Sequence, residues 1–155
     1  MDQRPIGVVD SGPGGLTAVR QLRRLLPSEH IIYFGDTARV PYGNRSREIL
    51  LRYARQDVAF LRRFDPKAVV IACGTVSSNC LKELQEENAI PIVGVVEPAV
   101  EQAVQATKNG RVGLIATRAS VSSGAYQRLF RRLAPGAEVF SRACPLFVPL
   151  VEEGR

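Results

Sequence analysis

Cys73 is the residue most able to do chemistry in this sequence. It follows the apolar run Ala68-Val69-Val70-Ile71 and precedes Gly74-Thr75, with Ser77-Ser78-Asn79 just beyond. A thiol at the end of a strand and the start of a helix is exposed to the helix N-terminus, which lowers a thiol's pKa toward neutrality and favours the reactive thiolate. The bland alternative is a small buried hydrophobe, which most free cysteines are. Position alone divides these two evenly. A Cys-His hydrolase is disfavoured, because the sole histidine, His30, lies at the start of another apolar run, at the opposite end of any parallel sheet.

Two further runs end in residues of the same kind. Ile6-Gly7-Val8-Val9 leads into Asp10-Ser11-Gly12-Pro13-Gly14-Gly15. Ile31-Ile32-Tyr33-Phe34 leads into Gly35-Asp36, with Pro41-Tyr42-Gly43 close behind. In an open parallel sheet, ligands bind beyond the carboxyl ends of the strands. Three successive ends on one rim therefore say more than any single motif. The glycine turn is a poor dinucleotide fingerprint, since Thr17 stands at the third glycine position and Asp10 would repel a pyrophosphate. Two readings remain open for it. One is a tight strand-to-helix turn. The other is an amino-acid site, with Asp10 facing an α-ammonium group and the turn amides facing a carboxylate.

The elements that must position these groups are legible as alternation. Continuous apolar runs at Ile6–Val9, Ile31–Phe34, Ala68–Ile71, Ile92–Val96, Val112–Ile115 and Val139–Phe140 suit strands buried on both faces of a parallel sheet. Between them run helical stripes: Leu16, Val19, Leu22, Leu26; then Ile49 to Leu61; then Ala99 to Val104; then Tyr126, Leu129, Phe130, Leu133. This is an α/β pattern with right-handed crossovers. A boundary is expected at Glu97-Pro98, dividing the chain into 1–97 and 98–155. Val151-Glu152-Glu153-Gly154-Arg155 reads as the first turns of a helix, where a domain seldom ends.

Composition limits the function classes. The chain has 155 residues, 45% hydrophobic and 23% charged, as an ordinary globular domain has. No apolar run approaches the ~20 residues of a membrane span, and the polar start Met1-Asp2-Gln3-Arg4 has no secretory h-region. The three cysteines, Cys73, Cys80 and Cys144, form neither a disulfide framework nor a zinc motif, so reduced thiols in a cytoplasm are expected. Cys80, two helical turns after Cys73, is expected in the core, and Cys144 before Pro145 as structural. The net charge of +6 sits on scattered arginine groups at helical spacing, which favours solvated helix faces over nucleic-acid binding.

Taken together, five strings in order resemble the glutamate racemases over the whole chain. They are Val9–Leu16, Gly35–Gly43, Ala72–Thr75, Gly94–Pro98 and Cys144–Glu152. The resemblance implies a parallel-sheet three-layer α/β sandwich: the first lobe of a two-lobe racemase plus the start of the second. It implies cofactor-independent interconversion of L- and D-glutamate by two thiols, one removing the α-proton and one protonating the opposite face. D-glutamate would supply peptidoglycan synthesis. Cys73 matches the first thiol. Asp10, Ser11, Pro41, Tyr42, Gly43, Gly74 and Thr75 match substrate-holding or base-assisting positions, and Asp36 and Glu152 match acids near the site. The partner implied is glutamate itself, with no cofactor, metal, membrane or nucleic acid, and with a homodimer left open. Two departures stand out. Gly74 replaces the asparagine usual after this cysteine. The family's longer chains also carry the second thiol in a later Cys-Thr-His segment that Cys80 and Cys144 do not match. Little or no activity is therefore expected of this polypeptide by itself. The rival expectations are an aspartate racemase-like isomerase and a degenerate, non-catalytic fragment.

Overall fold

The computed structural model describes residues 2–155. Four parallel strands, β1 (Ile6–Asp10), β2 (Ile31–Gly35), β3 (Ala68–Ile71) and β4 (Ile92–Gly94), form one sheet in the order β2-β1-β3-β4. Two more, β5 (Arg111–Ala116) and β6 (Glu138–Ala143), form a separate parallel pair. The helices are α1 (Leu16–Leu25), α2 (Arg47–Arg62), α3 (Gly74–Glu87), α4 (Val96–Ala106), α5 (Arg118–Ser123), α6 (Ala125–Leu133) and α7 (Phe147–Glu152).

The strand order fixes which side each helix takes. From β1 the chain steps one way to β2; from β2 it crosses back over β1 to β3, and continues the same way to β4. Right-handed crossovers then put α1 on one face and α2 and α3 on the other. Chains leaving β1 and β3 therefore part in opposite directions, although the strands are neighbours. The crevice at their carboxyl ends is the place where open α/β sheets hold ligands.

The core lies under α2 and α3. Leu50, Ala54, Val58 and Leu61 descend α2 at three- and four-residue steps, and Val76, Cys80 and Leu84 descend α3. They meet Val9, Val69, Ile71 and Ile92 of the sheet. Cys80 is thus a core residue, as its spacing predicts. Ser46 caps α2 by accepting the Ile49 amide.

Three elements differ from the expectation. The run at Ile92–Val96 is strand only to Gly94, because Val95 turns into helical geometry and Val96 begins α4. The close approach of Leu81 and Ser77 to Gly94 leaves no room for a side chain there, and Ser77 Oγ accepts the Val95 amide, which bends the chain out of the sheet. The expected boundary at Glu97-Pro98 consequently falls within the first turn of α4. The closing helix begins at Phe147, earlier than the Val151 of the sequence pattern. Finally, α5 had no apolar stripe to announce it; it is capped by Thr117 and ended by Gly124 in the left-handed conformation.

In the β5–β6 pair, Val112, Leu114 and Val139 face inward, while Ile115 and Phe140 stand on an open outer face. Arg111 lies over the Phe140 ring and pairs with Glu138 across the same face.

Leu61 is fully buried and packs against Gly7 of β1. Leu61→Ala should lower unfolding stability by about 3 kcal/mol, by lost transfer energy and an unfilled cavity. Urea unfolding followed by circular dichroism measures this; a loss below about 1 kcal/mol would contradict the core described.

Candidate functional site

A cavity of about 490 Å³ opens where the carboxyl ends of the two sheets converge. The first sheet contributes Asp10 and Ser11 after β1, the strap Pro41-Tyr42-Gly43 after β2, and Cys73, Gly74 and Thr75 after β3. The second contributes Ala116, Thr117 and Ser120 after β5, Pro145 after β6, and Val148, Pro149, Glu152 and Glu153 of α7 and its end. Tyr126 of α6 completes the wall. The structure therefore brings nearly every sequence-predicted residue to one cavity. Asp36 is the exception: it is buried beneath the wall and accepts the Tyr42 hydroxyl.

Asp10 organises the β1 turn. Its Oδ2 accepts the Gly15 amide at 2.7 Å, and a Cβ on Gly15 would sit 2.6 Å from Asp10 Cβ, so only glycine closes this turn. The Gly15 amide is thus already engaged, which removes one of the donors that the sequence offers to a substrate carboxylate. Tyr33 donates its hydroxyl to the Gly12 carbonyl, and the Glu152 carboxylate lies directly over Gly12. Burial, with Asp10, Cys73 and Glu152 nearby, pushes the Tyr33 phenol up to about 12, so it stays a donor.

Cys73 is the residue before α3 and is 4% exposed. Its Sγ lies 3.5 Å from Ser11 Oγ, which in turn lies 3.5 Å from Asp10 Oδ1, a long-contact path from thiol to carboxylate. Of the two readings that position leaves open, the structure favours the buried one. Burial first, and the Asp10 charge second, push the thiol up to about 11, outweighing the Ser11 hydroxyl and the Val76 and Ser11 amides. In the resting site the protonated thiol is therefore the favoured form. Thr75 does not cap α3; its hydroxyl pairs with Thr117 Oγ1 at 3.0 Å.

The cavity is acidic. Asp10, Glu152 and Glu153 line it and, among the described residues, no lysine or arginine does. None of the three takes part in a salt bridge among the described residues. Burial and Asp10 raise the Glu152 carboxyl. Such a site attracts a cationic group and leaves hydroxyls and amides to hold any carboxylate. Among the described residues, no cluster of metal-ligating side chains is present.

Sequence reasoning missed Thr117, Ser120 and Tyr126. Thr117 Oγ1 accepts the Ser120 amide and donates to Ser120 Oγ, which also meets Ser78 Oγ at 3.3 Å. A threonine three residues before a serine, directly after a strand, is a helix-cap signal that could have marked the first two. Tyr126 was legible only as part of an apolar stripe, yet its hydroxyl is the one atom within 4 Å of a Cβ built on Gly74. Cys144, by contrast, is half-buried and does not line the cavity, and Cys80 lies in the core.

Comparison with known proteins agrees with this architecture. Residues 6–153 match the family model described as Asp/Glu/Hydantoin racemase. A glutamate racemase of Geobacter metallireducens is 49% identical over 99% of this chain and 57% of its own length. One from Chlorobaculum tepidum is 50% identical over 97% of this chain and 56% of its own. The crystal structure of a glutamate racemase from Bacillus anthracis superposes with a TM-score of 0.94 at 40% identity, over 97% of this chain and 57% of that one. A Francisella tularensis glutamate racemase, solved in complex with D-glutamate, superposes at 0.89 and 45% identity, covering 99% and 58%. The chain thus spans a little over half the length of the relatives it matches.

The thiol's environment gives a direct test. Alkylation of Cys73 by iodoacetamide, followed by peptide mass spectrometry, should rise about tenfold per pH unit from 7 to 10 without levelling. Asp10→Asn, which keeps an acceptor for Gly15 and removes the charge, should speed it several-fold at fixed pH. A plateau below pH 8 would contradict the raised thiol pKa.

Proposed function

The chain belongs to the Asp/Glu/Hydantoin racemase family, and from that premise we propose that it serves cofactor-independent racemisation of glutamate, with Cys73 as one acid/base group. The observation that carries the proposal is the buried thiol at the β1/β3 crevice, inside an acidic cavity closed by both sheets. D-glutamate, the product of one direction, supports peptidoglycan synthesis in a cytoplasm.

The chemistry follows from the charges. The substrate's α-ammonium group sits against Asp10 and Glu152, which lack cations of their own. Its carboxylates take hydroxyl and amide donors from Ser11, Thr75, Thr117, Tyr126 and the strap at Tyr42 and Gly43. Gly74 contributes a backbone amide and no side chain. Once the ammonium neutralises Asp10, the charge that helped hold the thiol up is cancelled, so substrate binding itself shifts Cys73 toward thiolate. The thiolate then removes the α-proton, or the thiol returns it, on the face it borders.

Racemisation needs a second group on the opposite face. Among the described residues, Cys73 is the one cysteine that lines the cavity. We therefore expect the 155-residue polypeptide to exchange the α-proton of one enantiomer without interconverting the two.

Proton NMR in deuterated water separates these outcomes. Loss of the α-proton signal from one glutamate enantiomer, with no optical inversion, is expected; Cys73→Ser should reduce it by 10²-fold or more. Robust inversion by this chain would overturn the single-base mechanism. Exchange of aspartate in preference to glutamate would move the chain to an aspartate racemase-like role, and no exchange or binding of either would mark it as non-catalytic.

A further inference from the structure

Beneath the strap lies an acid that the proton-transfer step does not use. Asp57 on α2 is 3% exposed, although its neighbours on that helix face are apolar core residues. Its Oδ1 accepts Arg39 Nη2 at 2.7 Å, and its Oδ2 lies 3.2 Å from the Tyr42 hydroxyl. The same hydroxyl is held more closely by Asp36 Oδ2, which Arg39 Nε meets at 2.5 Å. Gln56 Oε1 accepts the remaining arm of Arg39, whose guanidinium also covers the Tyr53 ring. The cluster holds two carboxylates, one guanidinium and one phenol.

The count of protons decides how it works. A phenol has one proton to give, and here it goes to Asp36, the nearer acceptor. The contact between Tyr42 and Asp57 is then oxygen against oxygen unless Asp57 supplies the proton. The alternative leaves two buried carboxylates sharing one guanidinium and sets Asp57 Oδ2 against the Tyr42 oxygen with no proton between them.

We infer that on the acid side of neutrality Asp57 is a neutral carboxylic acid and acts as a positioning residue for the Pro41–Gly43 strap, its hydroxyl donating to Tyr42 while Tyr42 donates to Asp36. The inference rests on the strap being part of the substrate site, as proposed above. The groups facing Asp57 are Asp36 and Arg39 from the segment after β2, Tyr42 of the strap, and, around a water-sized gap, Asp10 and Cys73 from the ends of β1 and β3. Burial and the Asp36 charge raise the Asp57 carboxyl to about 6, with Arg39 pulling the other way. A raised carboxyl stabilises the fold below its ordinary value of 3.8, and that contribution is lost as pH climbs through about 6. Above that point a second charge stands beside Asp36, and the strap that carries Tyr42 and Gly43 is held less firmly.

The test uses the 155-residue chain and two readouts that do not require glutamate. Carbon-13 NMR of the aspartate carboxyls should show one group titrating near 6, absent in Asp57→Asn. The amide of this variant donates to Tyr42 at every pH. The ratio of Cys73 alkylation rates, parent over variant, should therefore rise several-fold between pH 5 and 7.5 as the parent strap loosens. An Asp57 carboxyl titrating at or below 4, or a flat ratio, would overturn the inference. Should Asp57→Asn fail to fold, the NMR titration of the parent decides alone. Glutamate titration is read separately: a group at 6 with no glutamate binding leaves the Asp57 inference standing and removes the functional proposal.

Discussion

The hydrogen bond from the Gly15 amide to Asp10 is the contact on which the site depends. It closes the turn after β1 so tightly that no side chain fits at Gly15, and it starts α1 away from the crevice. It also fixes a carboxylate, without a cation, within reach of Ser11 and through it of Cys73. A charge held there by the backbone cannot swing away to be solvated. The thiol responds by keeping its proton, and the cavity as a whole becomes a place where a cation is missing. Burial and a neighbouring carboxylate thus act on the thiol in the same direction.

The second sheet is joined to the first through small hydroxyl side chains. Thr75 and Ser78 on α3 meet Thr117 and Ser120 at the start of α5, and Asn79 Nδ2 donates to the Ala119 carbonyl. Ala119 in turn donates its amide to the Gly43 carbonyl of the strap. An interface of short hydrogen-bonding groups keeps α3 and α5 close and leaves the cavity between the strand ends. It also accounts for polar residues in the first turns of α3: Thr75 and Ser78 face α5, while Val76 turns into the core.

The sheet and most of the cavity were legible because both depend on local pattern. Apolar runs ending in Asp10-Ser11, Gly35-Asp36 and Cys73-Gly74 mark strand ends, and parallel strands must place those ends on one rim. Long-range contacts were not legible. Asp57 looks like a surface residue on a charged helix, and only the return of Tyr42 and Arg39 onto α2 buries it. The state of Cys73 is left open by the sequence for the same reason. The helix start is written in the sequence, but the depth of burial and the angle at which Asp10 faces the thiol are products of packing. Val95 and Val96 read as strand because their side chains are strand-like; the geometry of Gly94 against Leu81 overrides them.

Gly43 sets a dimension. A Cβ there would sit 2.8 Å from both Cβ and Cγ2 of Thr117, so the strap and the start of α5 touch backbone to side chain with no spacer between them. The distance between the two sheets is thus held at its minimum by the absence of one methyl group. Lengthening that contact by an alanine would act as a shim, wedging the strand ends apart by the width of a carbon and widening the mouth of the cavity. The calibre of the opening is thus adjustable at a single position that carries no side chain of its own.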